Sequence, residues 1–439
     1  MVETAAACGG GRGDGLIKHL TEASRNSFVR AISIAGKEYL STIEARSDPD
    51  LDPNSAWWQS FLRGAEITIA APEERSVRVV DAFCGSGGLS LGVRLAAAAL
   101  GRSVEFLAAV DTDALALAVY GANLSPQFPI AASAPTLIDF HVFGQGENVE
   151  FGYPPELMNP ILSKLRPVDL FIAGPPCEGH SNLNNHTRRE DPRNHLYLTA
   201  IALGVALEAR AILIENVPES QKDRRRVVQQ SAVLLRSAGY EVETETFKGE
   251  ELGVPQRRAR FFLLAVKGPS GITGVLRQIR AELRAPATPI SRAIGDLLDH
   301  EGNTLMDTSP SVAAANLDRI DYLFDNDLYD LPNDQRPFCH QNGTTYQAVY
   351  GRMHWDRPAH TITTGFGSPG QGRYVHSLRR RLITPHEAAR IQTFPDWFSF
   401  TPDEIRVSRK HLHKCIGDAV PPMLAYAAAL GAIAAISNF

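Results

Sequence analysis

Cysteine is scarce in this chain. There are five in 439 residues (Cys8, Cys84, Cys177, Cys339 and Cys415), an odd total with no CxxC pair. That excludes a disulfide framework and the familiar cysteine-based zinc spacings, so no metal is expected and a reducing, cytoplasmic setting is favoured. Long apolar runs are also missing. The longest, Met423 to Ile436, is short of the ~20 residues that span a bilayer, and the N-terminus lacks the basic start and apolar core of a secretory signal. No membrane partner is expected. Positive charge is lacking overall, since 44 Lys+Arg against 49 Asp+Glu give a net charge of −5. Taken whole, that balance speaks against a nucleic-acid binder. What remains is an ordinary globular composition, 44% hydrophobic and 21% charged, with length for two or three domains.

Residues 1–75 read as an N-terminal extension whose first fourteen residues, rich in Gly and Ala, are expected to be disordered. Leu16 to Ala45 has helix-compatible apolar spacing, and Asp48 to Ser55 reads as a breaker-rich linker. From Val77 the pattern changes. Short apolar runs at 77–83, 105–111, 168–174, 211–216, 240–247 and 260–266 alternate with helix-length segments at Leu89–Leu100, Ala114–Asn123, Leu196–Ala209 and Val227–Ala238. This alternation predicts an α/β fold with a doubly wound sheet over residues 76–267. Beyond Lys267 it decays, and residues 268–375 predict a smaller, irregular domain with an Asp cluster between Asp318 and Asp330. Helical patterns return within 376–439, at Thr384–Gln392 and Pro422–Ala435, to complete the first domain.

Five places carry chemistry. The turn Asp81-Ala-Phe-Cys-Gly-Ser-Gly-Gly88 closes the first run and opens a helix, where glycines admit a close ligand and free N–H groups point outward. The second run ends in Asp111, placed to accept hydrogen bonds from the ribose hydroxyls of an adenosine-type cofactor. Phe171-Ile-Ala-Gly-Pro-Pro-Cys177 sets a cysteine just past a strand end, behind two rigid prolines, which suits a nucleophile that reacts as its thiolate. The other four cysteines read as inert. Glu215-Asn-Val-Pro218 ends the next strand on the same sheet edge. Partial burial there suits a proton donor near neutral pH, although a Glu capping the following segment is the plainer alternative. Finally, alternation along Gln256-Arg-Arg-Ala-Arg260 puts Gln256, Arg258 and Arg260 on one face, donors for a phosphate or carbonyl oxygen, or else a solvated basic edge.

In this order the motifs resemble the cytosine-5 DNA methyltransferases. The likeness covers about residues 77–266 and 350–430. It extends through Asp191-Pro-Arg-Asn194, Arg357-Pro, Thr361-Ile-Thr363, Leu382-x-Thr-Pro-x-Glu387-x-x-Arg390-x-Gln392-x-Phe-Pro395 and Gly417-Asp-Ala-Val420. The resemblance implies a Rossmann-like methyltransferase sheet, S-adenosylmethionine as cofactor, duplex DNA as partner and room for a cognate restriction endonuclease in the same system. By the same token Cys177 attacks C6 of a flipped cytosine, Glu215 engages N3, and Arg258 and Arg260 steady the base. Phe83, Gly85, Gly87, Asp111, Asp139, Pro175 and Asp418 fall at cofactor positions, with Ser181, Asn216 and Gln256 on the substrate side. Residues His180–Arg189 stand in place of the mobile catalytic loop. Glu178 and Asp418 depart from the usual residues of the family, and 268–350 is short and acidic for a recognition region. The same chemistry on tRNA and a non-catalytic relative are the alternatives. Charge by segment softens the opening objection, because 217–260 and 351–420 carry a basic excess that includes Arg379-Arg-Arg381 and the stretch Arg406–Lys414. DNA binding is then expected to weaken with salt.

Overall fold

The computed structural model describes residues 17–24, 26–34, 36–44, 52–69, 75–176, 195–268, 273–300, 302–341, 348–403 and 405–437. Cys177, Glu178, Ser181 and the loop His180–Arg189 lie outside the described residues.

The N-terminal segment corrects the first expectation. The described part of the expected helix Leu16–Ala45 is not helical; β1 (Ile17–Ala23), β2 (Ser27–Ile34) and β3 (Lys37–Glu44) form an antiparallel meander that β4 (Ile67–Ile69) completes. The deciding pattern has period two, because Phe28, Arg30, Ile32 and Ile34 of β2 are buried while their neighbours are half-exposed. The linker ends sooner than expected. Asp52 caps α1 (Pro53–Leu62) by accepting from the Ser55 amide at 3.1 Å, with Pro53 at the first helical position.

This small sheet closes on one buried cation. The Arg30 guanidinium lies 4.0 Å from the Trp57 ring centroid, 4.8 Å from Trp58 and 5.3 Å from Tyr426, and donates to the Tyr426 hydroxyl at 3.3 Å. Among the described residues it pairs with no carboxylate, so aromatic faces carry the charge. Arg30→Ala is expected to destabilise the protein by about 3–4 kcal/mol, through the cavity and the lost cation–π contacts. Arg30→Met, which fills the space and removes the charge, is expected to cost under about 1.5 kcal/mol. Urea unfolding checks both; equal losses would show that the cation–π contacts matter and the filled space does not.

The main sheet follows the expected strands. β5 (Val77–Ala82), α2 (Gly88–Ala99), β6 (Val104–Asp111), α3 (Ala114–Leu124) and β7 (Phe128–Ala131) come first. Two short ribbons pair β8 (Ile138–Asp139) with β11 (Glu156–Leu157) and β9 (Val142–Phe143) with β10 (Glu150–Phe151). Then come α4 (Pro160–Leu165), β12 (Leu170–Ala173), α5 (Leu196–Ala206), β13 (Ala211–Asn216), α6 (Val227–Ser237), β14 (Tyr240–Lys248), β15 (Gln256–Arg257) and β16 (Ala259–Lys267). The seven-stranded order is β14-β16-β13-β12-β5-β6-β7, with β5, β6, β7, β12 and β13 parallel and the β16–β14 hairpin antiparallel. β7 escapes the periodicity because Pro129 interrupts a four-residue strand, which an edge position tolerates.

Alternation along each strand feeds two cores. Leu170, Ile172, Ala211 and Leu213 face one side of the sheet; Phe171, Ala173, Ile212 and Ile214 face the other. The first side is closed by α2 and by α13 (Pro422–Ser437), whose residues are buried through Ile436. Gly92 makes the contact possible, because a Cβ there would stand 2.3 Å from that of Ala425. Among the described residues no single helix is long and apolar enough to cross a membrane, and the apolar run at 423–436 is this core helix.

Residues 268–350 are also less irregular than expected. They hold α7 (Val275–Glu282), α8 (Ile290–Ile294), α9 (Ala314–Asp325) and α10 (Phe338–Gln341). A two-residue strand, β17 (Ala359–His360), pairs with β15, and α11 (Pro385–Ile391) and α12 (Arg409–Asp418) follow. The Asp cluster is not a free acidic surface. Asp321 and Asp325 both hold Arg380, at 3.0 and 2.6 Å, Asp330 binds Arg373, and Asp327 lies 3.3 Å from Arg352. Arg379 pairs with Asp299, and Arg381 forms a two-pronged pair with Glu387. The arginine run is therefore paired with acidic groups of the same chain, while Arg379 and Arg380 stay about half exposed.

Candidate active site

Parallel strands that leave β5 in both directions create a crevice at their carboxyl ends, where open α/β sheets bind ligands. Here the chain runs outward through β6 and β7 and returns to β12 on the other side of β5. A cavity of about 550 Å³ occupies that position, within the usual range for small-molecule sites.

One half of the cavity is a cradle. Phe83, Gly85 and Gly87 all have positive φ (56°, 51° and 95°), which turns the chain sharply off β5 and into α2. Phe83 is the strained member, since a side chain rarely adopts that conformation. The Gly85 amide donates to Asp111 Oδ2 at 2.8 Å, and the Asp113 amide donates to Oδ1 at 2.8 Å. Each carboxylate oxygen keeps a further lone pair for a ligand. A Cβ on Gly85 would meet no atom within 4 Å, so the turn is open toward the cavity. Gly87 is needed for packing instead, because a Cβ there would run into Leu124 and Tyr120. Below the turn, buried Asp81 accepts from Ser90, and desolvation raises its carboxyl well above the usual range.

The other half carries a buried carboxyl–guanidinium pair. Gly174, Pro175 and Pro176 leave β12 along the cavity wall, and Glu215 ends β13 beside them. Arg260 enters from the antiparallel β16, with Nε 2.5 Å from Glu215 Oε1. Register explains the meeting, since Asn216 pairs with Phe261 and Glu215 with Phe262 across β13 and β16. Burial raises the Glu215 carboxyl above its ordinary value, and the Arg260 and Arg258 guanidiniums oppose that shift without cancelling it. A Cβ at position 174 would lie 3.5 Å from Glu215 Oε2, so glycine there keeps that oxygen reachable.

Other expected site residues hold these in place. Asn216 is buried and spends its amide on the Pro175 carbonyl (3.2 Å) and its oxygen on the Val217 amide (2.8 Å). Gln256 binds Gln392 at 2.8 Å and accepts from the Ile362 amide at 2.8 Å. Arg258 donates to the carbonyls of Ile362 (2.7 Å) and Gly417 (3.3 Å). Alternation does turn Gln256 and Arg258 inward and Arg257 outward, but of the three expected donors Arg260 is the one that lines the cavity. Asp139 is exposed on β8, bonded to the Tyr153 hydroxyl, and is not among the cavity residues. Asp418 does line the cavity and lies 3.4 Å from Lys414, which also reaches Asp113 at 3.3 Å. Sequence reasoning missed Lys414, Asp113 and the wall at 132–135. Asp113 carries a signal, because it caps α3 in an Asp-x-Asp at a strand end. The expected inertness of two cysteines has a physical basis, since burial pushes the Cys84 thiol well up and that of Cys415 up to about 12.

The sequence profile of the C-5 cytosine-specific DNA methylases matches residues 77–432, from the first strand of the main sheet into α13. The chain belongs to that family. The methylase is 41% identical over 406 residues to the type II methyltransferase M1.BsuMI of Bacillus subtilis, covering 91% of each chain. It is 28% identical over 359 residues to the type II methylase M.HgiDII of Herpetosiphon aurantiacus, covering 79% of this chain and 92% of that one. Solved structures share the fold. The Dnmt2 methyltransferase of S. pombe aligns with a TM-score of 0.52 at 16% identity, over 81% of this chain and 98% of its own. A Dnmt2 variant from Spodoptera frugiperda also gives 0.52 at 16% identity, over 80% and 98%. The methylase is thus a DNA methyltransferase on a doubly wound α/β sheet, and Glu215, Arg260, Asp111 and Gly85 of its family motifs converge on one cavity.

Proposed function

We propose that this methylase moves a methyl group from S-adenosylmethionine to C5 of a cytosine flipped out of duplex DNA, with Cys177 as nucleophile. The observation that carries the proposal is that the Gly85–Asp111 cradle and the Glu215–Arg260 pair share one cavity, whose wall at Pro175-Pro176 leads in sequence to Cys177. The cradle suits the cofactor, because Asp111 offers acceptors to two hydroxyls and Gly85 leaves space for them. Phe83, Pro175 and Asp418 also border the cavity and would complete its walls. When bound there, S-adenosylmethionine supplies the electrophilic methyl group that C5 accepts.

The chain's own groups do the rest. The Cys177 thiolate adds to C6, forming a C–S bond, and the displaced electron pair accumulates along C5, C4 and N3. Glu215 in its protonated form donates to N3, which concentrates reactivity at C5 instead of returning it to the sulfur. Arg260 holds the Glu215 side chain so that one oxygen faces the base. After methylation the C5 proton leaves to water, the C5–C6 double bond re-forms, the thiolate departs and N3 returns its proton to Glu215, which restores the enzyme. Gln256, Asn216 and Arg258 act as positioning residues through the backbone they tie down.

The relatives named as type II methyltransferases support a place in a restriction–modification system, beside a cognate endonuclease and in the cytoplasm. Bisulfite sequencing of duplex DNA from cells that express the protein tests the activity. One short motif fully protected at a single cytosine is the expected outcome. Unprotected duplex DNA with methylated tRNA would move the same chemistry to another substrate.

A further inference from the structure

We propose that His300, Asp307 and His386 form a binding site for one divalent cation of the zinc class, distinct from the catalytic cavity. The three come from separate places. His300 ends the turn after α8, Asp307 lies five residues beyond Gly302, and His386 is near the start of α11. Their donor atoms all lie within 4.8 Å of one another. Asp307 Oδ1 is 3.0 Å from His386 Nδ1 and 3.3 Å from His300 Nε2. Ligands held about 2.0–2.1 Å from a tetrahedral metal stand roughly 3.3 Å apart, so both separations fit a shared ion with little movement.

A pair of hydrogen bonds from two imidazoles to one carboxylate has similar distances; the surrounding shell is one that a metal-bound imidazole also uses, and metal titration separates the two. His386 Nε2 lies 3.0 Å from Asp396 Oδ1, and Arg390 grips both Asp396 oxygens. A carboxylate that takes the outer N–H of a histidine fixes the tautomer whose inner nitrogen carries the lone pair, the usual second layer of a metal-bound imidazole. Asp307 is prepared in the same way. Thr304 donates to Oδ2 at 2.5 Å, which leaves Oδ1 turned to the two rings. The His386 amide donates to the Met306 carbonyl at 3.0 Å and locks α11 against the loop. Position 302 must be glycine for this closeness, since a Cβ there would lie 2.4 Å from that of Asp307. His300 is half exposed, so water can complete the coordination. Two imidazoles and one carboxylate suit zinc and its neighbours rather than magnesium or calcium.

The cation would join the segment that follows α8 to the returning catalytic segment. Asp396, in the outer layer, also bonds through its amide to the Leu62 carbonyl at the end of α1. None of the three ligands lines the catalytic cavity, so the bound ion acts on the placement of the recognition segment and not on the chemistry.

The test uses the full chain, stripped with chelator and titrated with Zn²⁺ in a calorimeter, without DNA or S-adenosylmethionine. One ion per chain at micromolar affinity or tighter is expected, with a rise in melting temperature. His300→Ala, at a half-exposed position, should fold normally, weaken Zn²⁺ binding at least tenfold and lose the melting shift. Co²⁺ should give the intense visible bands of a four-coordinate site in the wild type and not in His300→Ala. Absence of stoichiometric binding to the wild type, or unchanged affinity in His300→Ala, would leave only a protonated hydrogen-bond network and overturn the proposal. Methylation is not part of the readout, so the outcome is independent of the catalytic assignment.

Discussion

Cys177→Ala is expected to abolish turnover, by on the order of 10⁴-fold or more, while S-adenosylmethionine binding and folding persist. A nucleophile whose adduct defines the reaction path has no substitute in the cavity. Burial suppresses the thiolates of Cys84 and Cys415, and water adds to an unactivated pyrimidine far too slowly. The expected retention of cofactor binding rests on where the cradle is built. Phe83, Gly85 and Asp111 come from the ends of β5 and β6, neither of which includes position 177. A duplex with 5-fluorocytosine at the target base offers a direct check. Fluorine cannot leave C5 as the proton does, so the wild type should be trapped as a denaturant-resistant protein–DNA adduct, and Cys177→Ala should form none. Near-wild-type methylation by the alanine variant would refute the assigned nucleophile.

Glu215→Gln is expected to lower kcat by about 10²- to 10³-fold, with a small change in KM and in stability. The amide fills the same space and can still accept from Arg260, but it has no acidic proton for N3. Arg260→Ala is a poor substitute for this experiment, because it strands a buried carboxyl and damages the fold as well. The pH dependence follows from the direction of the shift. Burial raises Glu215 above its ordinary value, with Arg260 and Arg258 opposing. The protonated donor is then complete below the unfolded value and is lost as pH rises through the higher folded value. Stability from this group has the same sign, being present at low pH and lost across that window. A kcat profile in single turnover should therefore fall on the alkaline side of a pKa displaced upward from the carboxylate range. Glu215→Gln should erase that limb. A profile identical in both proteins would remove the carboxyl from proton donation.

Much of this site is legible in the chain because its parts are local. A glycine turn after a strand, an acid at the next strand end and a cysteine behind two prolines each depend on a few neighbouring residues. Parallel strands then bring all their carboxyl ends to one edge. The runs at 168–174 and 211–216 are legible as strands because their residues are buried on both faces, which gives a continuous apolar stretch. Residues 17–44 were less legible. Apolar spacing there satisfies a helix almost as well as a sheet, and only pairing within the meander and packing on α1, α2 and α7 select period two.

What the amino-acid order alone determined was the class of sheet, the nucleophile and acid as candidates, and the family. Tertiary structure decided which donors are free. Gln256, Arg258 and Asn216 have the side chains of substrate ligands, yet each lies against main-chain groups that would be unpaired without it, and buried unpaired groups are costly. Arg379-Arg-Arg381 reads in sequence only as basic excess, and folding brings Asp299, Asp321, Asp325 and Glu387 to it from both sides in sequence. His300, Asp307 and His386 show no spacing pattern at all and become a cluster only when α11 packs against the loop after α8. Periodicity and short motifs record local geometry, whereas charge pairing and ligand sets depend on distance through space, which sequence separation does not encode.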